Sequence, residues 1–326
     1  MRITLIGYGE VGKILAEDLR AAGHALTVFD LKLFTAAGLA MAAHAVQHQV
    51  HLAADHADAV REAEVVISAV TASQTLAVAT ACAPALPALC WFVDFNSASP
   101  AVKQQAAAVV EGAQAVAAGT GPDSASARYL EVAVMTLISG YRIRVPLLLG
   151  GPHAQAALPV LRELGFSPAL ASTTLGVASA TKLCRSVMIK GLEVMLIESL
   201  TTARHYGVED AVLASLAETY PGVDWPKQAS YAFQRVIEHG QRRGEEMQEA
   251  ARTVHDAGLQ PLSAGGTAQR ATWVAELAQA GVFGARSEPG FARSADWRQE
   301  ADRLLTHLHR LTPTSDAQDT HRGEDA

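Results

Sequence analysis

Cysteine is scarce in this 326-residue chain: Cys82, Cys90 and Cys184, with no CxxC pair. An odd, sparse set inside apolar stretches excludes a disulfide framework and a zinc ribbon, and points to a reducing, cytoplasmic compartment. Charge is thin as well, at 18% of residues against 49% apolar, which excludes a disordered chain. Lys and Arg (26) are outnumbered by Asp and Glu (33), and no basic block occurs. Nucleic acid and anionic membrane surfaces, both held by clustered cations, are therefore not expected partners. HExxH and GxSxG motifs are missing, so neither a zincin nor a serine-hydrolase elbow is encoded. His44, His48 and His51 have helix-like spacing but no evident carboxylate partner, and no metal is expected. No basic n-region or cleavage signal opens the sequence, so no targeting peptide is expected.

One uncharged run, Val65 to Val93, has the length of a bilayer span. Polar side chains (Ser68, Thr71, Ser73, Gln74) are scattered through it, and Pro84 and Pro87 interrupt it. It reads as two buried parallel strands flanking a helix, because strands covered on both faces are continuously apolar.

At about 100–200 residues per domain, the length suggests about two domains. Short strands at Arg2–Ile6, Ala25–Phe29, Val65–Val70 and Trp91–Phe95 alternate with helices over Glu10–Ala22 and from Ser99-Pro100 onward. Strands alternating with helices imply right-handed crossovers and a parallel sheet. Further strands are expected at Tyr129–Leu137, Val145–Leu149 and Ala169–Ser172, with a turn-rich loop at Gly119–Ser124 between the two halves. From Gly176 to about His205 the chain reads as one long helix, and the remainder is helical. The expected fold is α/β: a Rossmann-type doubly wound sheet over 1–172, an all-α domain over 173–311, and a disordered acidic tail over 312–326.

Gly7-Tyr8-Gly9-Glu10-Val11-Gly12 is a GxGxxG that follows a strand and opens a helix, and the next strand ends in Asp30. In that setting it is a dinucleotide fingerprint. Gly7 allows the tight turn, Gly9 lets backbone approach a pyrophosphate, and Gly12 lets helix and strand pack closely. Free amides around Glu10 and Val11 attract the phosphates. Asp30 can accept two hydrogen bonds from an adenosine ribose and would repel a 2′-phosphate. NAD is therefore the expected cofactor, while Lys32 leaves NADP open.

Three further blocks follow in order. Asp94-Phe95-Asn96-Ser97-Ala98-Ser99-Pro100 closes a strand. Gly176-Val177-Ala178-Ser179-Ala180-Thr181-Lys182 opens the long helix, with Ser186 one turn beyond. With the N-terminal glycines, these blocks resemble the β-hydroxyacid dehydrogenase family, which includes 6-phosphogluconate and 3-hydroxyisobutyrate dehydrogenases. The resemblance covers roughly residues 1–205, and the rest looks like a subgroup with its own helical domain.

The resemblance implies a catalytic role for Lys182 and a substrate and cofactor contact at Ser97, with Asn96 beside it. It implies that Val70 and Thr71 line the nicotinamide ribose. Two positions depart from the family: Ser186 stands where Asn is usual. Glu131-Val132-Ala133-Val134-Met135-Thr136-Leu137 replaces a glycine-rich substrate strand, with Met135 and Thr136 as the expected substrate contacts. The residues argue independently for Lys182. A lysine on the inner face of an Ala/Ser/Thr-rich helix is poorly solvated, which favours its neutral, basic form.

The expected function is NAD(P)-dependent hydride transfer to and from a small β-hydroxy acid, with decarboxylation open. The alternatives are a ketone or imine reductase on the same scaffold, and a catalytically silent nucleotide-binding protein. A small-molecule substrate and a homodimer are expected. His239, Arg242, Arg243 and Glu246 form a polar cluster on a late helix, read as a solvated or interface face ahead of an anion clamp. Arg142 and Arg144 flank a substrate-side strand and carry no assignment.

Overall fold

The computed structural model describes residues 1–36, 38–117, 127–288, 291, 292, 294 and 296–311. The predicted loop at Gly119–Ser124 and the predicted acidic tail lie outside them.

Short apolar runs become strands buried on both faces. β1 (Arg2–Ile6), β2 (Ala25–Phe29), β3 (His51–Leu52), β4 (Val65–Ser68), β5 (Trp91–Asp94), β6 (Arg128–Val134), β7 (Pro146–Gly150) and β8 (Ser167–Ser172) form one sheet. Its order is β3-β2-β1-β4-β5-β6-β7-β8. Crossovers carry α1 (Glu10–Ala21), α2 (Gly38–Gln47), α3 (His56–Val60), α4 (Thr75–Cys82), α5 (Pro100–Ala117), the single turn α6 (Ile138–Tyr141) and α7 (Ala154–Glu163). Strand alternation supplies two cores. Ile3, Leu5, Val65, Ile67, Val93, Leu130 and Val132 face one, while Ile6, Val66, Phe92 and Tyr129 face the other. An apolar layer on each face makes the sheet doubly wound.

The Ala- and His-rich stretch after Phe34 holds α2, β3 and α3. Two local expectations are corrected. β6 ends at Val134, so Met135–Leu137 lie beyond the strand. β6 and β7 pair antiparallel, whereas the other neighbouring strands pair parallel. A parallel crossover needs roughly a dozen or more residues, usually with a full helix. The β6–β7 link has only α6 and a further tight turn.

α8 (Val177–Tyr206), α9 (Glu209–Thr219), α10 (Trp225–Asp256), α11 (Leu262–Gln279) and α12 (Trp297–Leu311) complete the described chain. The chain divides into two compact units, Met1–Val187 with Glu245–Leu262, and Met188–Gly244 with Ser263–Ala326. The division between these units falls inside α8, and one stretch of α10 is counted with the sheet. Among the described residues the elements of the second unit are all helices, with Ile197, Leu200, Phe233, Val236, Ile237, Val274 and Trp297 in its core.

Candidate active site

The glycine turn joins β1 to α1. Gly7 has φ +100°, and a Cβ there would run into the Ala69 carbonyl oxygen. A Cβ at Gly12 would run into the Gly7 carbonyl oxygen. Gly9 differs: it is exposed, and a Cβ there would meet no atom within 4 Å. The protein itself has no steric need for glycine at that point. What the missing side chain leaves is open room beside the first turn of α1, where Glu10 is exposed and Val11 half-buried. This is the space a pyrophosphate occupies when it meets helix amides, so the loop fits a dinucleotide.

Asp30 ends β2 with its carboxylate held in place. Oδ2 accepts from Tyr8 N and Oδ1 from Lys32 N, both at 2.8 Å. Each oxygen keeps a further lone pair for a ribose hydroxyl. Lys32 is exposed. Tyr8, an unspecified position in the motif, is fully buried. Its hydroxyl meets His44 Nδ1 at 2.8 Å, and His44 Nε2 meets Glu17 Oε1 at 3.1 Å. Burial, with Glu17 nearby, pushes the Tyr8 hydroxyl up to about 12.

From Ile6, which directly precedes the glycine turn, one row crosses the sheet in register: Ile6, Ser68, Asp94, Glu131 and Gly150. Three of its members are buried polar residues. Buried polar groups need partners, and each of these has them. Asp94 Oδ1 accepts from Lys103 Nζ (3.0 Å) and Asn96 N (2.9 Å), and Oδ2 accepts from Tyr129 OH (2.6 Å). Lys103 Nζ also donates to the Asp94 carbonyl at 3.0 Å. Asn96 Nδ2 donates to Ser68 Oγ (3.0 Å), and Asn96 Oδ1 accepts from Val70 N (2.8 Å). Burial and the Asp94 charge hold the Tyr129 hydroxyl well above its ordinary range. Glu131 accepts from Gly176 N and Ser179 N, both at 2.6 Å, and so caps the start of α8.

That cap aims the first turns of α8 at the end of β5. Lys182 Nζ donates to Ser97 Oγ at 2.6 Å, across 85 positions of sequence. Lys182 and Ser97 are half-buried, and Ser186, one turn on, is buried.

The structure thus joins Lys182 to Ser97, and Asn96 to Val70. Thr71 is exposed next to them, with its hydroxyl on Ser73. Met135 and Thr136 do not join this set. Met135 is half-buried with its amide on the Pro146 carbonyl, and Thr136 is exposed. Arg142 is taken up by Asp18 and Glu17 on α1, which makes it a brace for the β6–β7 link. Arg243 forms a buried ion pair with Glu193 within the helical unit. Glu17, His44 and His48 bring ligand-type atoms within 4.8 Å of one another, although Glu17 is already held by Arg142 and His44.

Sequence reasoning missed Lys103, Tyr129 and the capping role of Glu131. Their signal was faint: a lysine inside an apolar helix and a glutamate inside an apolar strand.

Residues 2–138 match the NAD binding domain of 6-phosphogluconate dehydrogenase, and residues 203–274 match a domain of unknown function, DUF1932. The crystal structure of a conserved hypothetical protein from Sinorhizobium meliloti 1021 is 33% identical. It covers 94% of this chain and 97% of its own, with a TM-score of 0.68. An uncharacterized 28.5 kDa protein in the 7S RNA 5′ region of Methanothermus fervidus is 24% identical over 265 residues. The match spans 80% of this chain and 94% of that protein. The Mycobacterium tuberculosis 3-hydroxyisobutyrate dehydrogenase, solved with L-serine, shares the fold at 19% identity. Its TM-score is 0.64, covering 85% of this chain and 94% of that one.

Fold, glycine turn and family match together define an NAD(P)-binding oxidoreductase of the hydroxyacid dehydrogenase type. More closely, the chain belongs to the β-hydroxyacid dehydrogenase family, with a helical C-terminal domain.

Proposed function

We propose that this chain oxidises a small β-hydroxy acid reversibly, with NAD as cofactor and Lys182 as general base and acid. The contact of Lys182 Nζ with Ser97 Oγ carries the reading. A bound nicotinamide cofactor would supply the hydride acceptor. Gly7, Gly9, Glu10, Val11 and Gly12 would cradle its pyrophosphate, Asp30 its adenosine ribose, and Val70, Thr71 and Asn96 its nicotinamide ribose. A neutral lysine amine keeps N–H bonds and one lone pair. One N–H stays on Ser97, and the lone pair takes the substrate hydroxyl proton as its carbon is oxidised. In the reverse direction the ammonium returns that proton to a carbonyl oxygen. Ser186 orients the amine or the substrate. Met135 and Thr136 meet the substrate beyond the strand end, where this chain lacks the family's glycines.

Lys182→Ala should abolish turnover, a loss of at least about a hundredfold for a general base, and leave NADH binding within about twofold. The assay follows NAD(P)H absorbance across a panel of hydroxy acids with either cofactor. Unchanged turnover would remove Lys182 from the chemistry. Turnover of imines alone would favour a reductase, and turnover of nothing a silent nucleotide binder.

The working form is a homodimer in a reducing cytoplasm, built from a cofactor domain over 1–172 and a helical domain over 173–311. Met188, Met195 and Tyr206 support the dimer, since they lie along one face of α8 at 73%, 60% and 72% exposure. Sedimentation showing only monomer refutes it. Among the described residues no helix is long and apolar enough to cross a membrane.

A further inference from the structure

Two buried carboxylates grip the short segment that presents Ser97. From the strand side, Asp94 Oδ1 accepts the amide of Asn96. From the other side, Glu249 Oε2 accepts the amide of Ser99 at 2.8 Å, a bond spanning 150 positions. Glu249 lies on α10, within the stretch that matches a domain of unknown function and inside the 245–262 portion counted with the sheet unit.

Glu249 is itself 3% exposed. Its other oxygen accepts from Arg252 Nη1 at 2.5 Å, and its carbonyl accepts from Thr253 Oγ1 at 2.9 Å. Ser99 is where α5 begins, because Lys103 N donates to the Ser99 carbonyl and Pro100 brings no N–H. The amides at a helix start lack intrahelical acceptors and carry the positive end of the helix dipole. A buried carboxylate on such an amide makes a short, charge-assisted bond.

We infer that Glu249 is a positioning residue of the Lys182 site. By fixing the Ser99 amide it sets where Ser97 Oγ stands, and through Ser97 where the Lys182 amine points. Clamped at Asn96 and at Ser99, the serine between them has little freedom. A lysine hydrogen-bonded to that serine shares its placement. The helical region with no assigned activity thus supplies part of the frame of the active site. The catalytic consequence rests on the dehydrogenase reading, while the geometric one does not.

The test compares Glu249→Ala and Glu249→Gln with wild type in the full chain. Two readouts need no substrate: hydrogen exchange of the 96–103 segment, and the pH dependence of Lys182 acylation by acetic anhydride, followed by mass spectrometry. Glu249→Gln keeps an acceptor oxygen for Ser99 N, and it should stay within about twofold of wild type in both. Glu249→Ala should raise exchange of the segment about tenfold or more and shift the acylation profile of Lys182, with NADH affinity retained. A purely structural role would lower Tm but leave the Lys182 profile in place. That result, or wild-type exchange in Glu249→Ala, overturns the inference. If Glu249→Ala does not fold, Glu249→Asp, which withdraws the carboxylate by one methylene, carries the same comparison. If wild type turns over no hydroxy acid, the dehydrogenase reading fails, and exchange and acylation still decide the role of Glu249.

Discussion

Substituting alanine at two glycines of the same turn should give opposite results. Gly9 has φ −77° and ψ −154°, values open to any residue, and an added methyl would meet nothing within 4 Å. The folded protein loses little by Gly9→Ala: only the modest preference for glycine over alanine at a helix N-cap, about 1 kcal/mol or less. Gly12 is enclosed. Its methyl would land on the backbone carbonyl of Gly7, which cannot swing aside as a side-chain tip can. Overpacking of this kind costs about 1–3 kcal/mol. Cofactor binding should reverse the order of concern. A pyrophosphate resting on the backbone at Gly9 leaves no room for a methyl, so Gly9→Ala should weaken NADH by about tenfold or more, about 1.4 kcal/mol. Thermal melting and NADH fluorescence titration measure the two effects separately. The expected pattern is a Gly9→Ala protein that melts within a few degrees of wild type yet binds NADH poorly. Wild-type affinity in that variant would refute the placement of the pyrophosphate. Melting as low as Gly12→Ala would refute the steric reasoning.

Two further predictions concern buried charge. Lys103→Met strips the ammonium from Asp94 where both side chains are at most 1% exposed. Leaving one buried charge uncompensated costs about 3–5 kcal/mol. Urea unfolding should show that loss, with partial recovery in Asp94→Asn/Lys103→Met, and a loss below about 1 kcal/mol would contradict the pairing. In the helical unit, Glu300 is 1% exposed, and its Oε1 has no partner among the described residues. Burial raises its pKa, with Arg303 opposing. A carboxyl with a raised folded pKa contributes stability that is full below its unfolded pKa and lost as pH rises through the folded one. Glu300→Gln should therefore raise Tm at pH 7–8 and lose that advantage below about pH 4. An advantage that grows as pH falls would contradict the assignment.

What the sequence reveals here is mainly what it encodes locally. The glycine turn is legible because all its requirements fall within six consecutive residues and one strand end. Lys182 is legible because helical spacing puts it and Ser186 on one face. Lys103, Tyr129 and Glu249 are not legible, because their meaning depends on partners that only strand register and helix docking supply. Lys103 in sequence is an ordinary helix lysine. Strand pairing brings Asp94 beside Glu131 and two residues from the Tyr129 position, and that makes Lys103 the counter-ion of a buried carboxylate. The antiparallel β6–β7 step is hidden for another reason: the apolar pattern of a strand carries no direction, and only the shortness of the link betrays it. The end of β6 is misplaced by three residues, because the ladder stops at Val134 while the sequence pattern runs on to Leu137.

The in-register row through Ser68, Asp94 and Glu131 separates two tasks that the family's sequence pattern merges. Ser68 and Asp94 end their strands and Glu131 lies in the middle of β6, each at a position where a buried strand would otherwise carry another apolar residue. A buried polar group must be satisfied, so each draws in another element. Ser68 takes the Asn96 amide, Asp94 takes α5 through Lys103, and Glu131 takes the start of α8. The outcome of those three bonds is the approach of Lys182 to Ser97. None of them involves Met135, Thr136 or Leu137, which diverge from the family's glycine-rich strand. If residues 135–137 meet the substrate, as proposed, they can change without disturbing the frame that aims the lysine. On this reasoning, exchanging residues 135–137 should alter which substrate is accepted and leave the stability of the sheet unit nearly unchanged. Damage to the row should remove turnover on every substrate.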